Sequence, residues 1–558
     1  MGAMAQFETG KEYRIKVVDG DAAGEYVTIG DNFGHTFGYV HTMALDVNNA
    51  DQKFTFVSSN GNWKVKSVNE EYFAHTGGTG TGWNTWNLNK TTNESSATEV
   101  IFVSTGTENE YYLRANTSQY FKVGAVDGGA SSYMHVYYNA AENARTKFAV
   151  EEINTSPKAQ LREALDNANT LLGSIGIGVG KYSGTYSQLE AESYLASVEE
   201  FYNSIDDTTP AATIAEYTTQ INEVIGSYTL NMPENGEYFR VAYDYGGTTG
   251  KLYLQGIDSE QVKNNQVSPP AKFSSETGAE SIWYYYDGVL YSYTAGKCLR
   301  EEGNNRGLQS IGTKTTATFS ASTRVEGKYN IACASYIHAN STGENYYTDH
   351  CTGNNCAAHD LILEAVTELP VTVTSAGYAT LFAPVALTVP TEVKAYTVTI
   401  NGEWATLNEI TSGVIPAETG VIIAGANGEA ATAGTYNFAI TTSEETLESD
   451  LRGSAPATYY TEAGTYYALA QVDDVVGFYK DAFNNSRFQN NSHKAYLYVA
   501  GSANAASYSF RFGEGTTGVE KVEMRNEKSE IYDLTGRKVE AISAPGIYIV
   551  GGKKVLVK

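Results

Sequence analysis

The sequence predicts a mainly β chain made of several small modules with one helical interruption. Three observations carry that prediction. Aromatic residues make up 12% of the 558 residues, and 42 residues are Tyr, a residue type that suits pleated, half-buried strands. Gly numbers 54 against 11 Pro, which punctuates the chain with turns. Strand-like alternation returns at fixed spacing through the first third of the chain. Several domains are expected, because single cores stop growing near about 250–300 residues.

The first module covers residues 7–153. Glu25-Tyr26-Val27, Glu71-Tyr72-Phe73 and Gln119-Tyr120-Phe121 place tyrosines 46 and 48 residues apart. Lys53-Phe54-Thr55-Phe56, Glu99-Val100-Ile101-Phe102 and Lys147-Phe148-Ala149-Val150 drift by the same 46 and 48. Two markers moving together define three copies of a four-strand unit, none able to bury its own apolar face. That organisation fits a β-trefoil. Leu45 through Lys53-Phe54 resembles the Gln-x-Trp segment of the ricin-type β-trefoil family, with Gln52 in place and Phe54 for Trp. The third copy, Tyr138-Asn139 through Lys147-Phe148, is looser and lacks the Gln, and the second keeps neither residue. The resemblance implies a lectin-like fold and carbohydrate binding.

Residues 154–232 change character. Leu161, Leu165, Ala168, Leu171 and Leu172 recur at helical spacing after Ser156-Pro157. Leu189, Tyr194, Leu195, Val198 and Phe201 do so in a second helix, and Ile214, Tyr217, Ile221, Val224 and Ile225 in a third. A small three-helix bundle is expected. It resembles the spacer modules of bacterial surface proteins.

Residues 233–368 return to short strands. Tyr238-Phe239-Arg240-Val241 begins like Tyr13-Arg14-Ile15-Lys16. Lys251–Leu254, Lys297-Cys298-Leu299 and Tyr336-Ile337-His338 read as equivalent strands, and Ser281-Ile282-Trp283, Ala317-Thr318-Phe319 and Asp360-Leu361-Ile362 close each copy. A second, divergent trefoil is expected. It holds all four cysteines, Cys298, Cys333, Cys351 and Cys356. Each is a disulfide candidate, Cys351 and Cys356 across a Thr-Gly-Asn-Asn turn, with a buried thiol as the alternative.

Residues 369–515 read as a β-sandwich and resemble an accessory domain of secreted Bacteroidetes proteins. Asp473-Asp474 reads there as a solvated turn. Residues 516–558 contain Ile531-Tyr532-Asp533-Leu534-Thr535-Gly536-Arg537 and Pro545-Gly546-Ile547-Tyr548. This tail resembles the C-terminal sorting domain of the type IX secretion system. The resemblance implies that secretion machinery as a partner, and a secreted or outer-surface location reached through the periplasm, where disulfides form. Met1 through Gln6 is too short and polar for a signal peptide, but Ala3-Met4-Ala5 has the small-x-small form of the end of one, with cleavage before Gln6. Met1-Gly2 therefore reads as a cloning start on a nearly mature secreted chain, a plain vector-derived start being the other reading.

Charge excludes some partners. With 38 Lys+Arg against 64 Asp+Glu, the net charge is −26. Nucleic acid is not expected, since phosphate backbones need clustered cations. No apolar run reaches the ~18 residues of a membrane span. No HExxH, GxSxG or Walker pattern occurs, and the modules leave no stretch for a large catalytic barrel, so the reading leans against an enzyme. His350, Cys351, Cys356 and His359 come nearest to a ligand cluster but read as a structural loop, and neither metal nor cofactor is expected.

Glycans or glycoproteins are the expected partners. A sugar site needs an aromatic platform beside amides, carboxylates or hydroxyls. The candidates are Trp83 and Trp86, set among Gly and Asn; Asp31, His35, Asn49 and Gln52 in the first copy; His135 and Tyr137 in the third; and Tyr346, Tyr347 and Asp349 beside the Cys loop. Two trefoils would make binding multivalent. The rival readings are a glycoside hydrolase or its accessory region, and a protein-binding adhesin or inhibitor.

Overall fold

The computed structural model describes residues 7–20, 22–30, 40–43, 45, 49–74, 88–115, 119–124, 134–139, 145–245, 249–256, 262–263, 266–267, 271–302, 305–308, 310–312, 314–322, 325–342, 345–351, 359–481, 487–501, 503–512, 531–533, 538–539, 546–550 and 553–557. The chain is mainly β and divides into two compact units, Met1–Thr367 and Glu368–Lys558.

The first unit opens with β1 (Tyr13–Val17), β2 (Tyr26–Ile29), β3 (Val40–Met43), β4 (Phe54–Ser59), β5 (Asn62–Ser67), β6 (Tyr72–Ala74), β7 (Asn89–Thr91), β8 (Glu99–Ser104), β9 (Glu110–Arg114), β10 (Tyr120–Gly124), β11 (Met134–Asn139) and β12 (Lys147–Glu152). Six of them close a ring. β1 pairs with β4, β4 with β5, β5 with β8, β8 with β9, β9 with β12, and β12 returns to β1. Three hairpins hang from it, β2–β3 from β1, β6–β7 from β5 and β10–β11 from β9. The repeated marker residues Phe54, Val100 and Phe148 all have 0% exposure inside the ring. Two residues further on, Phe56, Phe102 and Val150 are buried on the same strand faces. The β4–β5 connection is Asn60-Gly61, both at positive φ (51° and 82°), the two-residue turn whose twist matches its strands.

Three helices follow, α1 (Pro157–Leu172), α2 (Gln188–Ser204) and α3 (Ala211–Gly226). Ser156 caps α1, with Pro157 at a position where the missing N–H costs nothing. Ser187 and Glu190 form a reciprocal capping box on α2. Leu161, Leu165, Leu195, Val198, Ile214 and Ile221 pack together as the shared core. Leu189, expected on the apolar face, is 73% exposed, because it lies in the first turn of α2, before the first buried residue, Ala191. Arg14 of β1 pairs with Glu163 of α1 at 2.9 Å.

A second ring completes the unit. Tyr238–Asp244 pairs with Ile282–Tyr286, which pairs with Val289–Ser292. A bridge from Val289 to Thr316 leads to Ala317–Ala321, which pairs with Tyr329–Cys333. A bridge from Tyr329 to Leu361 leads to Ile362–Ala365, which returns to Tyr238–Asp244. The hairpins are Lys251–Leu254 with Phe273–Ser274, Leu299–Glu302 with Asn305–Leu308, and Ser335–Thr342 with Asn345–Cys351. Trp283 is fully buried at the centre, its indole Nε1 donating to the Leu254 carbonyl at 2.9 Å.

In the second unit, a nine-stranded sheet and a four-stranded sheet carry most of residues 368–512. Val398, Leu407, Ile422, Phe478 and Leu497 fill a core there. Asp473 and Asp474 form the turn between Gly464–Val472 and Val475–Lys480, both at positive φ (49° and 63°), so the turn geometry accounts for this acidic pair. The tail contributes Ile531–Asp533, Lys538–Val539, Gly546–Val550 and Lys553–Val557 to a four-stranded sheet of its own.

Tyr329 ties the helical segment to the second ring. The Gly180 N–H donates to its Oη at 2.7 Å, and that Oη donates to the Asn231 carbonyl at 2.9 Å. Burial pushes its phenol up to about 12, with the Gly180 hydrogen bond acting in the opposite sense. A raised folded-state value means the neutral phenol is favoured, so its contribution is complete below the ordinary value of about 10 and is lost as pH rises toward about 12. Urea titrations across pH 9–12 are expected to show unit 1 weakening over that window, with a shallower slope in Tyr329→Phe. Equal slopes in the two proteins would remove Tyr329 from this role.

Candidate functional site

Two polar neighbourhoods in the first unit hold the sequence-derived candidates that the structure describes. The first lies under hairpin β2–β3. Gln52 has 0% exposure and its amide donates to Thr28 Oγ1 at 3.1 Å. Thr28 donates in turn to the Tyr26 carbonyl at 3.1 Å. Asn49 is half-buried and caps a short 3-10 turn, accepting from the Asp51 N–H at 2.9 Å. Thr42 donates to the Glu25 carboxylate; burial pushes that carboxyl up, and the Thr42 hydroxyl offsets part of the rise. Gln52 is therefore a buried strut that fixes the β2–β3 hairpin, and it is not a surface contact. In the third copy, His135 stands opposite His41 of β3 and Gly124 of β10, and Tyr137 stands opposite Lys122.

The second neighbourhood lies at the Lys251–Leu254 edge of the second ring. Tyr346 packs edge-on against Tyr245 with centroids 4.6 Å apart. Its hydroxyl and Thr249 Oγ1 share a 2.9 Å hydrogen bond. Tyr245 Oη donates to the Asn340 carbonyl at 3.2 Å and its ring meets Tyr243 at 4.8 Å and Phe273 at 6.0 Å. Tyr245 and Tyr346 are both half-buried, so each keeps part of a ring at the surface while the rest is anchored in the core. Tyr347, next along the strand, is also half-buried and bridges to Lys272. Asp349 sits in the same strand, in register with His338 and Asn305.

The structure thus brings Tyr346, Tyr347 and Asp349 onto one strand and keeps Asn49 and Gln52 in the first ring. Asp31, His35, Trp83, Trp86 and Cys356 lie outside the described residues. Tyr245 and Thr249 were missed by sequence reasoning. Their signal is faint: Tyr245 follows directly on a strand, and Thr249 meets Tyr346 across 97 residues of chain.

Cys298 and Cys333 are buried thiols, the alternative left open beside a disulfide. Burial pushes the Cys298 thiol up, which makes it a poor nucleophile. Cys351 ends the strand Asn345–Cys351. His359 is fully buried, its ring stacked on Tyr336 and edge-on to His338, each at 5.3 Å. Among the described residues no group of three or more His, Cys, Asp or Glu side chains is arranged to hold a metal ion, and no helix is long and apolar enough to cross a membrane.

No family model matches the chain, and no curated protein does. Among solved structures it is similar to a lectin of Polyporus squamosus, whose structure was determined bound to the human-type influenza-binding epitope Neu5Aca2-6Galb1-4GlcNAc. The identity is 10% and the TM-score 0.19, over 48% of this chain and 92% of that one. A likeness at that score carries no argument about this chain.

The buried position of Gln52 has a measurable consequence. Gln52→Ala is expected to lower the stability of the first unit by about 1–2 kcal/mol, because Thr28 loses a buried partner, while leaving ligand retention unchanged. Chemical denaturation and glycan binding, measured on the same variant, separate the two roles.

Proposed function

We propose that the chain is a secreted or surface-attached, lectin-like carbohydrate-binding protein. The observation that carries the reading is the half-buried Tyr245–Tyr346 pair with the Thr249 hydroxyl beside it. A sugar offers apolar C–H faces ringed by hydroxyls. A partly exposed aromatic edge next to hydroxyl donors and acceptors matches both features. Each ring with its three hairpins is read as a β-trefoil, the second carrying the tyrosine pair and the first carrying its own hairpin surfaces. The three helices between them are read as a spacer, which makes the two rings a bivalent arrangement with avidity above that of either alone.

The full chain applied to an immobilised glycan array is expected to be retained by at least one glycan. Tyr346→Ala is expected to weaken that retention about tenfold, which corresponds to roughly 1.4 kcal/mol, with Tyr346→Phe falling between. Absence of retention on every host and plant glycan would refute the reading.

The tail is proposed as a type IX sorting signal, on the strength of its residues 531–550 and their short paired strands. Residues 516–558 fused behind a periplasmic reporter, in a Bacteroidetes host with that system, should carry the reporter to the cell surface or the medium. Reporter that stays in the periplasm would exclude the assignment.

A further inference from the structure

The second unit contains a cleft of about 470 Å³ that the lectin reading does not use. It is formed by the segments 372–380, 468–476 and 488–496. Phe488 and Tyr496 form part of its wall and pack on each other with centroids 4.9 Å apart. Gln489 and Asn491 stand at it joined by a 2.9 Å hydrogen bond, and Thr380 supports it by accepting from the Ala495 N–H at 3.2 Å.

Its charge is the unusual feature. The chain carries 64 Asp+Glu, yet among the described residues no acidic side chain lines this cleft, and the one basic residue there is Lys494. Lys494 is half-buried on the strand Lys494–Ala500, two residues from Tyr496 and so on the same strand face. It has no ion-pair partner among the described residues. Burial alone pulls its ammonium below the ordinary lysine value. A half-buried cation without a carboxylate is held at a cost that an incoming anion would relieve.

We propose that this cleft binds a small polyhydroxylated carboxylate, an acidic monosaccharide of the uronic acid type, with Lys494 as the counter-ion to its carboxylate. The site's volume falls in the range of small-molecule pockets, about 300–1,000 Å³, well beyond what a bare ion fills. A lone ammonium is a point charge that matches one carboxylate, whereas bidentate or doubly charged groups favour arginine forks. The exposed amides of Gln489 and Asn491 supply hydrogen bonds for hydroxyls, and the buried Phe488 and Tyr496 rings back the site with a rigid apolar floor of which only edges reach the cleft. The proposal is independent of the tyrosine pair in the first unit, so either can fail without the other.

The test uses the full chain and titration calorimetry with galacturonate, galactose and inorganic phosphate. Galacturonate is expected to bind, galactose to bind at least tenfold more weakly, and Lys494→Gln to lower galacturonate affinity at least tenfold while raising the thermal unfolding temperature of the ligand-free chain, since the substitution removes the desolvated charge. A second measurement needs no variant: acetylation of Lys494, followed by peptide mass spectrometry, is expected to slow when galacturonate is present and not when galactose is. Failure of galacturonate to bind, equal affinity in Lys494→Gln, or unprotected Lys494 would each overturn the proposal. Phosphate binding as tight as galacturonate would also overturn it, in favour of an inorganic-anion site.

Discussion

Ring closure is the constraint on which the first unit depends. β1 and β12 are paired from Tyr13–Glu152 through Val17–Phe148, so the first and last strands of the opening segment are neighbours. No single repeat has an inside until that pairing forms. Phe56 illustrates the point: it meets Phe102 of the second repeat at 5.3 Å and Tyr13 of β1 at 4.9 Å, while Phe7 stacks on it at 4.0 Å. An open ring would expose these rings and leave β1 and β12 as unpaired edges, the feature that invites association with other chains. The hairpins are then free to vary, since each is attached to the ring through one strand and contributes less to the core.

This explains what the sequence makes legible. Phe54, Val100 and Phe148 must point into the same ring at equivalent places, so their spacing survives where other residues change. The second ring is harder to read. Two of its six junctions are single bridges, and its first hairpin is interrupted by the small pair Val262–Lys263 and Gln266–Val267. Even so, the segments beginning at Lys251, Leu299 and Ser335 are the first strands of its three hairpins. Binding residues follow a different logic. Tyr245, just after the ring strand Tyr238–Asp244, and Tyr346, in the third hairpin, become neighbours only when these distant segments meet, and the cleft around Lys494 draws on three segments spread over more than a hundred residues. Periodicity reports which face a residue occupies; it carries no record of which distant faces converge. Gln52 shows the converse, because a polar residue inside a recognisable motif reads as a ligand contact from sequence, while in the fold it is fully buried and bonded to Thr28.

The net charge of −26 has a similar division. Pairs such as Lys11–Glu8, Lys314–Asp287 and Arg452–Glu462 involve exposed side chains, and pairs of that kind are worth about 0–1 kcal/mol each. Arg14–Glu163 is more enclosed and joins the first ring to α1, so it acts on the position of the helix as well as on stability. Excess carboxylates on such a surface chiefly keep the chain solvated and repel anions at long range.

Lys494 matters against that background. An acidic protein presents an unfavourable field to a carboxylate ligand, and the field is screened over about 8–10 Å at physiological salt. A cleft whose described lining holds no Asp or Glu, with its lysine partly removed from water, turns the local interaction favourable where the ligand docks. The same arrangement links binding to stability. Ligand that binds only the folded state stabilises it by RT ln(1 + [L]/Kd), about 2.7 kcal/mol at a hundredfold excess over Kd. The desolvation of an uncompensated ammonium sets the second unit's unliganded state higher in free energy, so an anion that relieves it strengthens the fold as it binds. Occupancy of the cleft is therefore coupled to the folding free energy of the unit that builds it.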